Sequence, residues 1–338
     1  MSEPAFPHPL LICDIGGTNV RVAEVARPGE RARATLRFAT DEAPSLAEAL
    51  RARFGDFSAP PASMILCAAG PIEGRSVRLT NADWTLDGPD IARALDLRQG
   101  LLLNDFEAQA VMLAHLRTED ARPIGPARPE AQETPFGARL VLGPGTGLGA
   151  ALLLPWGGRF LPLTTEAGHM DVGPASDFEA QLWPAFRRAA PRVTGETLLS
   201  GRGLALIHRS LCEVEGAEPA TDDPALITAR AFEARDGVEA HAVRLFWRFT
   251  ARVAGGLALG LLARGGVTLS GGILPRIVDF LDEDAFRQAF EDQAPLGAVV
   301  ERIPTRLVTD GDAVLDGLAA LAAEPGRFMI DYEARLWR

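Results

Sequence analysis

The chain has 338 residues, 47% of them hydrophobic and 23% charged, which is enough for a sizeable core in two domains or in one domain of two lobes. A formal net charge of −11 excludes the basic stripe of a nucleic-acid binder. There is no lysine, all 34 Lys+Arg positions being arginine, so a Walker A P-loop, a protein-kinase nucleotide site and Schiff-base chemistry are excluded together.

The predicted elements begin with a short apolar strand over residues 10–14 that ends in an acid. The turn Ile15-Gly16-Gly17-Thr18-Asn19 follows, then alternating strands over 20–25 and 36–40. Ser45 predicts a cap for a helix reaching Phe54. Residues 64–69 and 77–80 read as strands and 90–97 as a helix. Residues 101–103 form a strand running into Asn104-Asp105, with a helix over about 107–116. The Pro-, Arg- and Glu-rich stretch 117–138 reads as a surface connection near a domain boundary.

A second strand–turn–strand unit spans 140–154 around Gly143–Gly149. Helices dominate afterwards: 177–189, 203–213, 224–234 and a long one over 238–262. A strand at 267–269 leads into Ser270-Gly271-Gly272, and Asp312 predicts a cap for a helix through Ala323. This is α/β order with a meander at its start. Cys13, Cys67 and Cys212 are far apart, with no CxxC pair, and read as buried thiols rather than zinc ligands or a disulfide frame. The first residues lack a signal-peptide pattern, and the most apolar stretch, 253–263, is too short to span a bilayer. A cytoplasmic protein without membrane contact is expected.

The chemistry concentrates in the turns. In Asp14-Ile15-Gly16-Gly17-Thr18-Asn19 two glycines allow a tight turn with outward N–H groups suited to phosphate oxygens, and Thr18 adds a hydroxyl. Asp14 at the strand end suits Mg²⁺ held through water. A plain hairpin turn with a solvated Asp is the competing reading. The stretch Gly143–Gly149 repeats the pattern around Gly145, Thr146 and Gly147, with a mobile loop as its rival. Gly271 and Gly272 lie just past a strand, where a flat ring or a backbone can approach closely, although helix packing alone explains such glycines.

Asn104-Asp105 sits at a strand's carboxyl end, where open α/β sheets bind ligands. A carboxylate there can accept a hydroxyl proton, or Asp105 can cap the helix that follows. Glu166 and His169, separated by Ala167 and Gly168, could grip adjacent sugar hydroxyls; one His with carboxylates and no Cys makes a weak zinc site. Glu196 would add a third sugar contact, or be an acid at a helix N-terminus.

Together these segments resemble the bacterial glucokinase family, of the hexokinase and actin-like ATPase superfamily, from about residue 10 to 320. The similar stretches are DIGGTNVR (14–21), TNADW (80–84), NDFEAQA (104–110), GPGTGLG (143–149), EAGHMD (166–171), GETLLSG (195–201) and GGVTLSGGILPR (265–276). Each is weak alone; seven in the family's order are specific.

The resemblance implies an α/β, two-lobed actin-like ATPase (ribonuclease H-like) fold with a central cleft, the turns 14–19 and 143–149 facing each other across it. Residues 1–116 plus about 312–330 would form the smaller α/β lobe, 117–311 the larger α+β lobe and 331–338 a C-terminal tail, the stretch after Pro325 having no recognised counterpart in the family.

The implied activity is ATP-dependent phosphorylation of glucose at the 6-hydroxyl, at the start of glycolysis. Asp105 would be the base, and Asn104, Glu166, His169 and Glu196 would bind the sugar. Gly16, Gly17, Thr18, Asn19, Gly145, Thr146 and Gly147 would line the phosphates. Asp14 would face Mg²⁺, and Gly271 and Gly272 would lie by adenine and ribose. The resemblance also implies a homodimer. Two departures stand out. The Cys-rich zinc loop of the related repressor/kinase group is absent after the ExGH element, which excludes zinc. Thr268 is polar where the family often has a bulky apolar residue. Two other readings stay open: a kinase for another hexose, and a non-catalytic sugar-sensing regulator of the same fold.

Overall fold

Strand β1 (Leu10–Ile15) is nearly all apolar and buried, as a strand flanked on both sides must be. The structure, a computed structural model, describes residues 4–79, 82–125, 134 and 136–338. Thr80 and Asn81 of the TNADW stretch, and most of 126–135, lie outside the described residues. The chain divides into two units. Unit one comprises Met1–Asp120, Ala151–Thr164 and Asp310–Arg338, and unit two comprises Ala121–Ala150 and Thr165–Thr309.

The main sheet of unit one starts as a meander of β1, β2 (Asn19–Val25) and β3 (Arg33–Ala39), paired antiparallel. On its other side β1 runs parallel to β4 (Ser63–Ala68), and β4 runs parallel to β8 (Gln99–Asn104). The sheet ends at β15 (Leu336–Trp337), which lies antiparallel to β8. A small antiparallel sheet, β5 (Ile72–Glu73), β6 (Ser76–Arg78) and β7 (Thr85–Asp87), stands between β4 and β8 in sequence.

The helices of unit one are α1 (Leu46–Arg51), α2 (Gly88–Leu95), α3 (Asp105–Met112), α11 (Ala313–Ala323) and α12 (Tyr332–Arg335). Ser45 caps α1 as expected, its hydroxyl accepting from the Glu48 N–H at 3.2 Å, but the helix stops at Arg51 and a separate 3₁₀ turn spans Phe54–Asp56. Asp312 precedes α11 without capping it, because its carboxylate accepts from Arg37 at 2.9 Å instead. Gly317 lets α11 lie against α3: a Cβ there would come within 2.6 Å of the Met112 Cα.

The second sheet has the order β12-β11-β10-β13-β14-β9. In unit two it comprises β9 (Ala121–Ile124), β10 (Arg139–Pro144), β13 (Val267–Leu269) and β14 (Thr305–Val308), with β11 (Leu148–Trp156) entering from the Gly-rich turn. From Ala151 the chain passes into unit one, where β12 (Arg159–Thr165) returns. The helices of unit two are α4 (Asp177–Ala189), α5 (Gly195–Leu198), α6 (Gly201–Glu215), α7 (Pro224–Glu233), α8 (Val238–Gly260), α9 (Glu283–Glu291) and α10 (Gly297–Glu301). Gly255 brings α8 against α9, with space for no side chain, since a Cβ would sit 2.1 Å from the Phe290 carbonyl oxygen. The buried Glu179 is held by Arg248 at 3.0 Å and Arg252 at 2.5 Å, so its charge is paired rather than isolated. Among the described residues no helix is long and apolar enough to cross a membrane.

Candidate functional site

In unit one the strand register decides which side chains meet. Asp14 on β1 is level with Arg21 on β2 and Cys67 on β4, and Ala68 on β4 is level with Asn104 on β8. The carboxyl ends of three parallel strands therefore gather Asp14, Cys67 and Asn104-Asp105, the ligand-binding position of an open α/β sheet. The Arg21 guanidinium forms an ion pair with Asp14 and donates from Nε to Oδ2 at 3.1 Å. The Cys67 thiol donates to Asp14 Oδ1 at 3.4 Å.

The turn that follows closes on itself. Gly16 N–H donates to the Asn19 carbonyl at 2.9 Å, Asn19 Nδ2 donates to Thr18 Oγ1 at 2.9 Å, and Thr40 N–H donates to the Thr18 carbonyl at 3.1 Å. The Gly16 N–H is thus spent inside the hairpin, while Thr18 and Asn19 are exposed. Gly17, Thr18 and Asn19 line a hollow of about 630 Å³ with Thr40, Asp41 and Trp84.

The two readings of Asp105 separate here. Asn104, not Asp105, is the N-cap of α3: its Oδ1 accepts from the N–H groups of Phe106 at 2.9 Å and Glu107 at 3.3 Å. Its Nδ2 donates to the Gly70 carbonyl at 3.3 Å. Asp105 is the first helical residue, and its Oδ1 accepts from its neighbour's N–H at 3.0 Å. Burial, and then the nearby Asp14 carboxylate, push the pKa of Asp105 up to about 6, where a carboxylate can both hold and release a proton near neutrality. The same burial and Asp14 raise Cys67, and burial raises Cys13, so neither thiol is a nucleophile at neutral pH.

In unit two the Gly-rich turn is tied to several segments. Gly145 N–H donates to the Gly147 carbonyl at 2.8 Å, and Gly201 N–H, at the start of α6, donates to the Gly145 carbonyl at 3.0 Å. Glu196 Oε2 accepts from the Leu148 N–H at 3.0 Å. Any side chain at 147 would strike that carboxylate, since a Cβ would be 2.4 Å from Glu196 Oε2. Gly168 lies equally close to this strand: a Cβ there would be 2.2 Å from the Leu148 carbonyl oxygen. Gly195 N–H donates to the Met170 carbonyl at 3.1 Å. Backbone contacts thus bring the segment around 166–170, Glu196 and the turn together.

Glu166 and His169 point outward, their side chains 92% and 57% exposed with Oε2 and Nε2 3.7 Å apart. Gly271 adopts φ +91° beside the turn, where a Cβ would lie 2.5 Å from the Pro144 carbonyl oxygen; Gly272 faces open space. Thr268 is buried yet satisfied, its hydroxyl accepting from Arg306 Nε at 2.9 Å, which accounts for a polar residue at that place.

Arg21 was missed as a site residue. Its signal was the hairpin itself, since residues 14 and 21 flank the turn symmetrically and must face each other once it closes. Among the described residues no group of three or more His, Cys, Asp or Glu side chains could hold a metal by itself. Mg²⁺ fits Asp14 as a single-carboxylate site completed by substrate phosphates and water. Asp14 Oδ2 is taken by Arg21, whereas Oδ1 meets the weak thiol donor.

The chain is similar to known proteins along nearly its whole length. The family model described as Glucokinase matches residues 11–325. The glucokinase of Rhizobium meliloti (strain 1021) is 40% identical over 338 residues, covering 100% of this chain and 98% of that protein. The crystal structure of a glucokinase from an Antarctic psychrotroph superposes with a TM-score of 0.80 at 30% identity, covering 94% of this chain and 98% of that one. That of Balamuthia mandrillaris glucokinase in complex with glucose has a TM-score of 0.75 at 24% identity, with 93% of each chain covered. The fold is that of the actin-like ATPases. Matched over residues 11–325 by the family model and over its whole length by a relative at 40% identity, the chain belongs to the glucokinase family.

Proposed function

We propose that the chain transfers the γ-phosphoryl group of ATP to the 6-hydroxyl of glucose, giving glucose 6-phosphate and ADP. The observation that carries this reading is Asp105: a half-buried carboxyl at the end of β8, relieved of the capping duty by Asn104 and titrating at about 6. As the sugar oxygen bonds to the γ-phosphorus and the bond to the ADP oxygen breaks, Asp105 takes the hydroxyl proton. Asn104, Glu166, His169 and Glu196 hold the sugar. Their task is to fix the hydroxyl in line with the phosphorus, which is the larger part of catalysis in phosphoryl transfer.

Thr18, Asn19 and the N–H groups of Gly16 and Gly17 would serve the phosphates, as would Gly145, Thr146 and Gly147. In this role the Gly16 N–H would have to leave Asn19 or be shared with it. Gly272, which faces open space, leaves room for adenine and ribose, and Gly271 holds that stretch against the Gly-rich turn. Mg²⁺, with Asp14 as its protein ligand through water, neutralises phosphate charge when bound. In this reading the enzyme works in the cytoplasm as a homodimer and feeds glycolysis.

The test is ADP release from the purified chain across glucose, fructose, mannose and N-acetylhexosamines. Glucose should give the highest kcat/KM. A higher value for another hexose would reassign the substrate, and no sugar-dependent ADP release would leave only the regulator reading. Light scattering checks the dimer.

A further inference from the structure

The segment after Pro325, to which no sequence motif assigns a role, returns to the strand that ends in Asn104-Asp105. The family model ends at residue 325, before it, whereas the alignment with the Rhizobium meliloti relative runs through it, so the tail expected to lack a counterpart has one. β15 pairs antiparallel with β8, Leu336 opposite Leu101 and Trp337 opposite Gly100. Trp337 is buried, and two glycines make its seat: a Cβ on Gly88 or Gly100 would lie 2.3 or 2.2 Å from its ring. Immediately before β15, at the end of α12, Arg335 donates to Glu107 Oε2.

Glu107 is 6% exposed and is the third residue of α3. Its Oε2 also accepts from the Asn104 N–H at 3.4 Å, which closes a capping box whose other half is Asn104 Oδ1 and the Glu107 N–H. Asp105 lies inside this box, between the two residues that close it. A buried carboxylate needs a paired cation to stay ionised, and Arg335 supplies it.

We propose that Arg335 is a positioning residue for Asp105, acting through Glu107 and its capping box with Asn104, while Trp337 seats the segment on β8. This rests on the reading of Asp105 as the base.

Deleting 331–338 would strip Trp337 from the core and confound loss of fold with loss of positioning, so the test uses point variants of the full chain. kcat and the KM values for glucose and ATP are measured for wild type, Arg335→Ala, Arg335→Lys, Glu107→Gln and the double variant Arg335→Ala/Glu107→Gln. Arg335→Ala should lower kcat about 10-fold, within the range that a sub-ångström misplacement costs, with both KM values within about 2-fold of wild type. Arg335→Lys should recover most of the loss. In the Glu107→Gln background Arg335→Ala should change kcat by less than about 2-fold, since a neutral amide no longer needs the cation. Wild-type kcat in Arg335→Ala with only a lower Tm would overturn the proposal, as would an equal loss in both backgrounds. A wild-type chain inert toward hexoses would instead overturn the catalytic reading itself, and the proposal with it.

Discussion

Asp14 bears on Asp105 from the end of β1, and together with burial it lifts the Asp105 pKa to about 6. The base must be ionised to accept a proton. kcat/KM for glucose, which reports the free enzyme, should therefore fall about tenfold per pH unit below pH 6 and level off above it. Asp14→Asn removes the smaller of the two causes, so its acid limb should move to lower pH while staying above the usual carboxylate value. A pH profile of kcat/KM for both proteins decides; an unmoved limb in Asp14→Asn would discard the coupling.

Asp105→Asn should cut kcat by about 10²–10⁴-fold. Its effect on stability has a definite sign. A carboxyl with a raised folded-state pKa holds its proton more tightly in the folded protein. The stability it contributes is full below the ordinary value of 3.8 and is lost as pH rises through about 6. At pH 8 the variant should therefore melt above wild type, and the advantage should vanish toward pH 4. Lower Tm with turnover nearly intact would instead mark Asp105 as a helix cap.

Gly147→Ala and Gly145→Ala should part company. A Cβ at 147 would displace Glu196 and cost it the Leu148 N–H, whereas one at 145 meets nothing within 4 Å of the protein. Gly147→Ala should raise the sugar KM by about 10-fold or more, the order expected when one charged hydrogen bond is lost. Gly145→Ala should act on the ATP KM alone. Identical kinetic profiles for the two would refute the separate assignments.

Glu166→Gln and His169→Ala should raise the glucose KM and leave the ATP KM within about 2-fold, as expected for contacts made with the sugar alone. Both side chains are exposed, so neither change should alter Tm appreciably. Unchanged sugar kinetics in both variants would remove them from the sugar site.

Gly100→Ala should destabilise the protein by about 1–3 kcal/mol, the cost of forcing an extra carbon into a filled core. The added Cβ would lie 2.2 Å from Trp337. Thermal melts of Gly100→Ala and of Gly260→Ala, where a Cβ has open space, provide the comparison. Equal melting temperatures would mean that Trp337 is not seated as described.

Much of unit one was legible because buried parallel strands announce themselves: residues 10–14, 64–69 and 101–103 are short apolar runs ending at small or polar residues, and all three lie in the sheet. The start of α3 was misread by two residues, since Asp105 and Asn104 are both good caps and only backbone geometry chooses between them. Asp312 looked like a cap for the same reason, but its partner Arg37 is 275 residues away and no local pattern could name it. The segment 331–338 was unreadable because Leu336 and Trp337 are too few to show a period. Their seat, Gly88 and Gly100, is recognisable only once the chain has returned to it.

The three-part make-up of unit one has a consequence for biosynthesis. Every residue of unit two has been made once Thr309 is added, but β8 then still lacks its outer neighbour. Until Leu336 and Trp337 are added, the strand leading to Asp105 is a free sheet edge flanked by two bare glycines, the kind of surface that pairs with other nascent chains. The segment carrying Leu336 and Trp337 thus acts as a closing stitch on β8, and a chain stalled short of Leu336 would leave that edge open to aggregation.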